Sequence, residues 1–159
     1  AAITAGFDAT HIPSYGPESR GGTSYADVHI AIGEVLNPAA PEPDILVAFN
    51  APSLAKFAPT VVPGGLILHD AALVAPPSLP EGRRVLAVPF TAIARKLGRP
   101  VVKNMVALGA LQAATGLLPP ECFRSSLRQL LKDKPSALPI NEAAFAAGER
   151  AVDDTPVRT

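Results

Sequence analysis

Apolar positions recur with two different spacings along this chain of 159 residues. In the first half the spacing is that of strands. Phe7 to Pro13 is a short extended candidate. From Thr23 to Ile32 the pattern alternates: Val28, Ile30 and Ile32 point one way, and Asp27, His29 and Ala31 the other, which predicts a half-buried strand. Ile45 to Phe49 (ILVAF) is continuously apolar, as befits a strand covered on both faces in a parallel sheet. Leu66 to His69, closed by Asp70, and Val85 to Pro89 read the same way. Between them, Pro52 and Ser53 open a short helix running to Ala58. Thr91 is placed to cap another, Ala92 to Leu97, which Gly98 stops.

The second half has helical spacing. Val101 to Thr115 is apolar on nearly all sides and should be buried. Pro119-Pro120-Glu121 has proline and an acid where a helix begins. Phe123, Leu127, Leu130 and Leu131 then form one stripe. Asn141 is placed to cap a last helix through Val152, and Thr155 to Thr159 reads as a tail. Strands alternating with helices predict one α/β domain over residues 1–159, a Rossmann-like three-layer fold with a mostly parallel sheet. Ligands of such sheets sit at the carboxyl ends of the strands, where Asn50 and Asp70 fall.

Composition narrows the reading. Lys+Arg and Asp+Glu are 14 each, so no net basic field exists to hold nucleic acid. The 18% of charged residues is below the usual share of about a quarter, which points to a surface partly covered by other chains. The prolines cluster within 38–43, 59–63 and 76–80 and mark connectors. Cys122 is the only cysteine, so the chain can neither close an intrachain disulfide nor ligate an iron–sulfur cluster; a reducing, cytoplasmic setting is expected. No apolar run has the length and flanks of a membrane span, and no secretory leader is expected. The chain opens without Met, and Ala1 to Gly6 reads as the last turn of a helix closed by a capping glycine. It is therefore expected to be part of a longer protein.

Candidate chemistry centres on SYGPESRGGTSY, Ser14 to Tyr25. Gly21-Gly22 allows backbone amides to approach a ligand, and Arg20 can pair with a phosphate. The same spacing also suits a polar hairpin whose Glu18 and Arg20 are merely solvated. Asn104, within a largely apolar helix, either satisfies a neighbouring carbonyl or faces a ligand. His11, His29 and His69 do not cluster, and Cys122 reads as core filling. Asp70 reads as a cap for the turn that follows it. No catalytic residue and no metal ligand is assigned to this chain.

PSYGPESRGG (Pro13–Gly22) resembles the signature loop of the gamma subunit of 2-oxoacid:ferredoxin oxidoreductases, particularly of the 2-oxoglutarate type. The resemblance continues collinearly through PDILVAFN with PSLAKF, VPGGLILHD, VPFTAIARKLG, KNMVALGAL and NEAAFAAGERA. The family's opening strand and glycine-rich turn are absent, and Ser19 stands where the family often has methionine. The resemblance implies an enzyme that oxidatively decarboxylates a 2-oxo acid with coenzyme A to an acyl-CoA and CO2. Thiamine diphosphate, Mg2+ and 4Fe–4S clusters would reside in partner subunits: thiamine-binding alpha and beta subunits and a ferredoxin-like iron–sulfur subunit. Ferredoxin or another acceptor would take the electrons. For this chain it implies assembly and coenzyme A binding, with Glu18, Ser19, Arg20, Gly21, Gly22, Thr23 and Asn104 near the nucleotide. A purely structural subunit and an independent nucleotide-binding domain stand as alternatives, and the 2-oxo acid is left open.

Overall fold

A computed structural model describes residues 1–14, 24–35, 41–73 and 79–157. Its centre is a parallel sheet in the order β3–β4–β5: Ile45–Ala48, Leu66–Asp70 and Arg84–Val88. Ile45 lies opposite Leu66 and Leu68 opposite Leu86, in parallel register. All five residues of β4 are buried, which is why its sequence shows no alternation.

Helices cover both faces of this sheet. On one, Leu66, Leu68, Leu86 and Val88 pack on α2 (Phe90–Lys96), α3 (Lys103–Thr115) and α5 (Leu138–Asp153), through Phe90, Val106, Ala110 and Ala144. On the other, Ala48, Ile67 and Val85 pack on Leu54 of α1 (Ala51–Phe57) and on Ala58 and Val61. Each large aliphatic side chain so buried contributes about 1.5–3 kcal/mol relative to exposure. The predicted three-layer α/β domain is thus present.

Two glycines set the distance between α3 and α5. A Cβ on Gly109 would lie 1.9 Å from the carbonyl oxygen of Phe145, and one on Gly148 would lie 1.9 Å from that of Val106. Any side chain there would hold the helices apart. The fourth helix, α4 (Pro120–Leu130), lies against α5. Arg124 bonds Glu149 at 2.7 Å, and Arg128 reaches Glu142 at 2.9 Å and Glu121 at 2.8 Å. Hydrogen bonds to Glu142, and then to Glu121, raise the Arg128 pKa further above the ordinary arginine value, so the group stays charged.

Several expectations need correcting. α5 begins at Leu138, not at Asn141, whose Nδ2 donates to the Ala137 carbonyl from inside the helix. α2 begins at Phe90, and Thr91 does not cap it; the Asp70 carboxylate does, accepting from the Thr91 amide. Val101 belongs to a 3-10 turn, Pro100–Val102, ahead of α3 and is 80% exposed. Leu130 is also 80% exposed, because it is the last residue of α4 and none of the described residues covers the stripe there.

The alternating segment is the largest departure. β1 (Asp8–Ser14) and β2 (Tyr25–Ala31) form a two-stranded antiparallel ribbon separate from the parallel sheet. The alternation is real, but Val28 and Ile32 are exposed, not half-buried. Ahead of the ribbon, Ile3–Ala5 is a single 3-10 turn closed by Gly6 at φ +87°, so the expected terminal turn and glycine cap are present locally.

Candidate functional site

The carboxyl end of the sheet is where sequence and fold first coincide. Asn50 follows β3 and caps α1, its Oδ1 accepting from the Ser53 amide at 2.8 Å. Asp70 ends β4 and is 1% exposed. Its carboxylate accepts the amides of Ala72 and Thr91, each at 3.2 Å, and the Thr91 hydroxyl. Both oxygens of the carboxylate thus join the turn after β4 to the start of α2. The expectation that Asp70 caps the next turn holds, and the second link, to α2, was not legible in the spacing. Beside it, buried His69 places Nδ1 3.1 Å from the Asp70 carbonyl.

Helix α3 delivers Asn104 to this same end. Lys103 Nζ sits 5.4 Å from the centroid of Phe49, the residue directly after β3. Phe49 in turn packs on Phe90 with ring centroids 5.9 Å apart. At the other end of α3, Arg84 donates to the Ala114 carbonyl at 3.4 Å, so the helix runs back along the sheet. Asn104 is therefore in the first turn of α3 rather than mid-helix, and it is exposed rather than buried. Its Oδ1 accepts from the Met105 amide at 3.0 Å. The other six expected residues, Glu18, Ser19, Arg20, Gly21, Gly22 and Thr23, lie outside the described residues. They belong to the stretch joining Ser14 of β1 to Tyr25 of β2.

Tyr25 is anchored on α1. Its ring centroid lies 4.9 Å from that of Phe57, and Lys56 Nζ is 5.9 Å from the Tyr25 centroid and 5.2 Å from that of Phe57.

Charge is uneven here in a way that the balanced total conceals. Between Glu81 and Glu121 lie Arg83, Arg84, Arg95, Lys96, Arg99 and Lys103, and no acid. Arg95 and Lys96, in the last turn of α2, and Arg99, just before the 3-10 turn that leads into α3, are exposed. Counting charge by segment rather than over the whole chain would have found this run. Such a run suits anions. Among the described residues, no three His, Cys, Asp or Glu side chains come together as a metal site would need, and no helix is long and apolar enough to cross a membrane. An open cleft of about 340 Å³ lies at the opposite, amino end of the sheet, by Asp44, Gly64 and Arg84, away from Asn104.

A three-layer α/β domain whose sheet ends, on its carboxyl side, at Asn50, Asp70 and the first turn of α3 defines the class: a Rossmann-like domain. Its family follows from comparison with known proteins. The model of the Pyruvate ferredoxin/flavodoxin oxidoreductase family matches residues 1–151, and the chain belongs to that family. It is 41% identical over 150 residues to the ketoisovalerate oxidoreductase subunit VorA of Methanothermobacter marburgensis, covering 93% of this chain and 31% of the relative. It is 34% identical over 129 residues to the 2-oxoglutarate synthase subunit KorC of Methanocaldococcus jannaschii, covering 80% of this chain and 69% of the relative. The chain thus spans about a third of the length of the ketoisovalerate relatives it matches.

Solved structures agree. The gamma subunit of a keto/oxoacid ferredoxin oxidoreductase from Geobacter sulfurreducens superposes with a TM-score of 0.75 at 31% identity, covering 97% of this chain and 85% of that one. A 2-oxoglutarate:ferredoxin oxidoreductase from Magnetococcus marinus, solved with 2-oxoglutarate, coenzyme A and succinyl-CoA bound, gives a TM-score of 0.84 at 22% identity. It covers 96% of this chain and 27% of that one, and it shows the shared fold alone. The resemblance read from the sequence is confirmed, and an independent domain outside this enzyme family is set aside.

Proposed function

We propose that this chain is the gamma component of a multi-subunit 2-oxoacid:ferredoxin oxidoreductase, contributing to assembly and to the binding of coenzyme A. The observation that carries the reading is the near end-to-end likeness to a gamma subunit at 31% identity. The overall reaction joins a 2-oxo acid and coenzyme A to give an acyl-CoA, CO2, a proton and two electrons for ferredoxin or another acceptor. Thiamine diphosphate with Mg2+ supplies the decarboxylation chemistry, and 4Fe–4S clusters carry the electrons.

Those groups belong to the alpha, beta and iron–sulfur subunits in this reading. A cluster needs several thiolates, and this chain has Cys122 alone. The chain's own part is to bind and orient. Gly21 and Gly22 allow backbone N–H groups close to phosphate oxygens, Arg20 supplies the opposing charge, and Glu18, Ser19 and Thr23 hold the segment in shape. The Asn104 side-chain amide hydrogen-bonds the nucleotide, beside the cations ahead of α3. The compartment in this reading is the cytoplasm. The 2-oxo acid is a branched-chain acid or 2-oxoglutarate, matching the substrates for which the relatives are named.

The test is Arg20→Ala in the intact complex. Loss of a charge-assisted hydrogen bond of about 1.5–3 kcal/mol raises the KM for coenzyme A about 10- to 100-fold and leaves that for the 2-oxo acid unchanged. No change in either constant would favour a purely structural subunit.

A further inference from the structure

Helix α2 closes with two nested backbone bonds. The Gly98 amide donates to the Arg95 carbonyl at 2.9 Å, and the Arg99 amide to the Ala94 carbonyl at 3.2 Å. With Gly98 at φ +73°, this is a Schellman cap, and it folds the backbone of Arg99 onto the last turn of α2, which carries Arg95 and Lys96. All three side chains are exposed. Among the described residues, none of the three has an ion-pair or hydrogen-bond partner for its side chain. No Asp or Glu occurs between Glu81 and Glu121. The three cations stand together uncompensated, although like charges one turn apart repel.

Helix dipoles account for only part of this. The C-terminal end of α2 favours Arg95 and Lys96. It does not call for Arg99, beyond the cap. Lys103 is less favoured still, because it opens α3, where a cation meets the positive end of a helix. The 3-10 turn Pro100–Val102 joins these two residues, with the Val102 amide donating to the Arg99 carbonyl at 3.0 Å. At about 2 Å per residue, such a turn keeps Arg99 within roughly 8 Å of Lys103. Lys103 Nζ lies 5.4 Å from the centroid of Phe49, so the string of cations reaches the carboxyl end of the sheet, next to Asn104. Between Arg99 and Lys103, Val101 is 80% exposed. An apolar spot flanked by cations suits a ribose that carries a phosphate.

Coenzyme A has two kinds of phosphate. Its diphosphate suits backbone amides such as those proposed at Gly21-Gly22. Its ribose phosphomonoester carries a charge of about −1.5 to −2 near neutral pH and calls for more than one cation, which Arg20 alone does not supply. We infer that Arg99, with Lys96 and Lys103 beside it, binds the ribose phosphomonoester of coenzyme A. This rests on the coenzyme A reading above.

The experiment measures KM for coenzyme A and for dephospho-coenzyme A, which lacks that one group, in the intact complex at saturating 2-oxo acid. The variants are Arg99→Ala, Arg99→Lys and Arg99→Ala with Lys96→Ala, each confirmed as assembled by native mass measurement. Arg84→Ala, an equal loss of charge at the amino end of the sheet, is the control. Wild type should bind coenzyme A better than the dephospho compound. Arg99→Ala should raise KM for coenzyme A about tenfold and leave that for dephospho-coenzyme A unchanged, so that the preference collapses. The double variant should go further, and Arg99→Lys should keep part of the preference, since charge survives without the planar fork. A wild type with no preference between the two compounds overturns the inference. So does an equal rise for both, which would place the cations elsewhere on the ligand, or an equal effect of Arg84→Ala, which would mean a diffuse field. If Arg20→Ala raises KM for coenzyme A and the Arg99 variants do not, only the phosphomonoester site is wrong; if neither does, the coenzyme A reading fails as well.

Discussion

The contact between α3 and α5 can be tested with single methyl groups. In an exposed helix, replacing glycine by alanine stabilises by about 1 kcal/mol. Here Gly109→Ala places a Cβ 1.9 Å from the Phe145 carbonyl oxygen, and Gly148→Ala places one 1.9 Å from that of Val106. Carbon and oxygen tolerate about 3.3 Å, so the helices must part by about 1.4 Å. The obstacle is backbone, so no rotamer change relieves it. A gap of 0.5–1 Å already forfeits roughly a quarter to a half of a dispersion contact, and Val106, Ala110, Ala144 and Phe145 all sit in or beside this seam. Overpacking of this kind costs about 3 kcal/mol, the top of the usual range, or more. Less the propensity gain, each variant loses about 2 kcal/mol or more, which lowers the melting temperature of a chain this size by roughly 4–8 °C. The two clashes lie on the same helix pair. Once one alanine has parted the helices, the second costs less than it does alone. Thermal unfolding followed by circular dichroism measures all three variants. A melting temperature at or above wild type for either single variant would refute the close approach.

Other substitutions test the carboxyl end of the sheet and the surface. Asp70→Ala leaves the Ala72 amide and the Thr91 amide and hydroxyl without their acceptor, and should cost about 3 kcal/mol or more in urea unfolding; Asp70→Asn keeps one acceptor oxygen and should cost less. Equal costs for the two would mean that volume, not hydrogen bonding, matters there. Asn50→Ala removes the cap of α1 and should cost about 1 kcal/mol by the same assay. Arg128→Ala breaks two exposed ion pairs and should leave the melting temperature unmoved; a clear drop would mean that α4 depends on them.

The elements whose identity depends on composition alone were readable from the chain. LILHD is buried at every position of β4, and ILVAF does form a strand through Ala48, though only Ala48 of β3 is fully buried and Phe49 falls outside it. Pro52 and Ser53 do stand in the first turn of α1. What failed depended on neighbours far along the chain. Thr91 looks like a cap until the Asp70 carboxylate, brought alongside by the sheet, takes its amide. Asn141 looks like a helix start because nothing local shows that Leu138 already winds. Periodicity found the two sides of β2 but not which of them faces the core, since that is decided by what Tyr25 stacks on. At the candidate site, the family motif singled out Asn104. Spacing placed it mid-helix, and the 3-10 turn at Pro100–Val102 moves it to the exposed first turn.

The Asp70 carboxylate also makes a statement about motion. One buried anion holds the turn after β4 and the first turn of α2, so releasing either alone strands charge in a place poor in water. The two should open to solvent as a single unit. The amides of Ala72 and Thr91, far apart in the chain, should then exchange their hydrogens at a common rate. A displacement that begins just beyond β4 would be felt at once at the start of α2, on the side of the sheet where the ligand is expected.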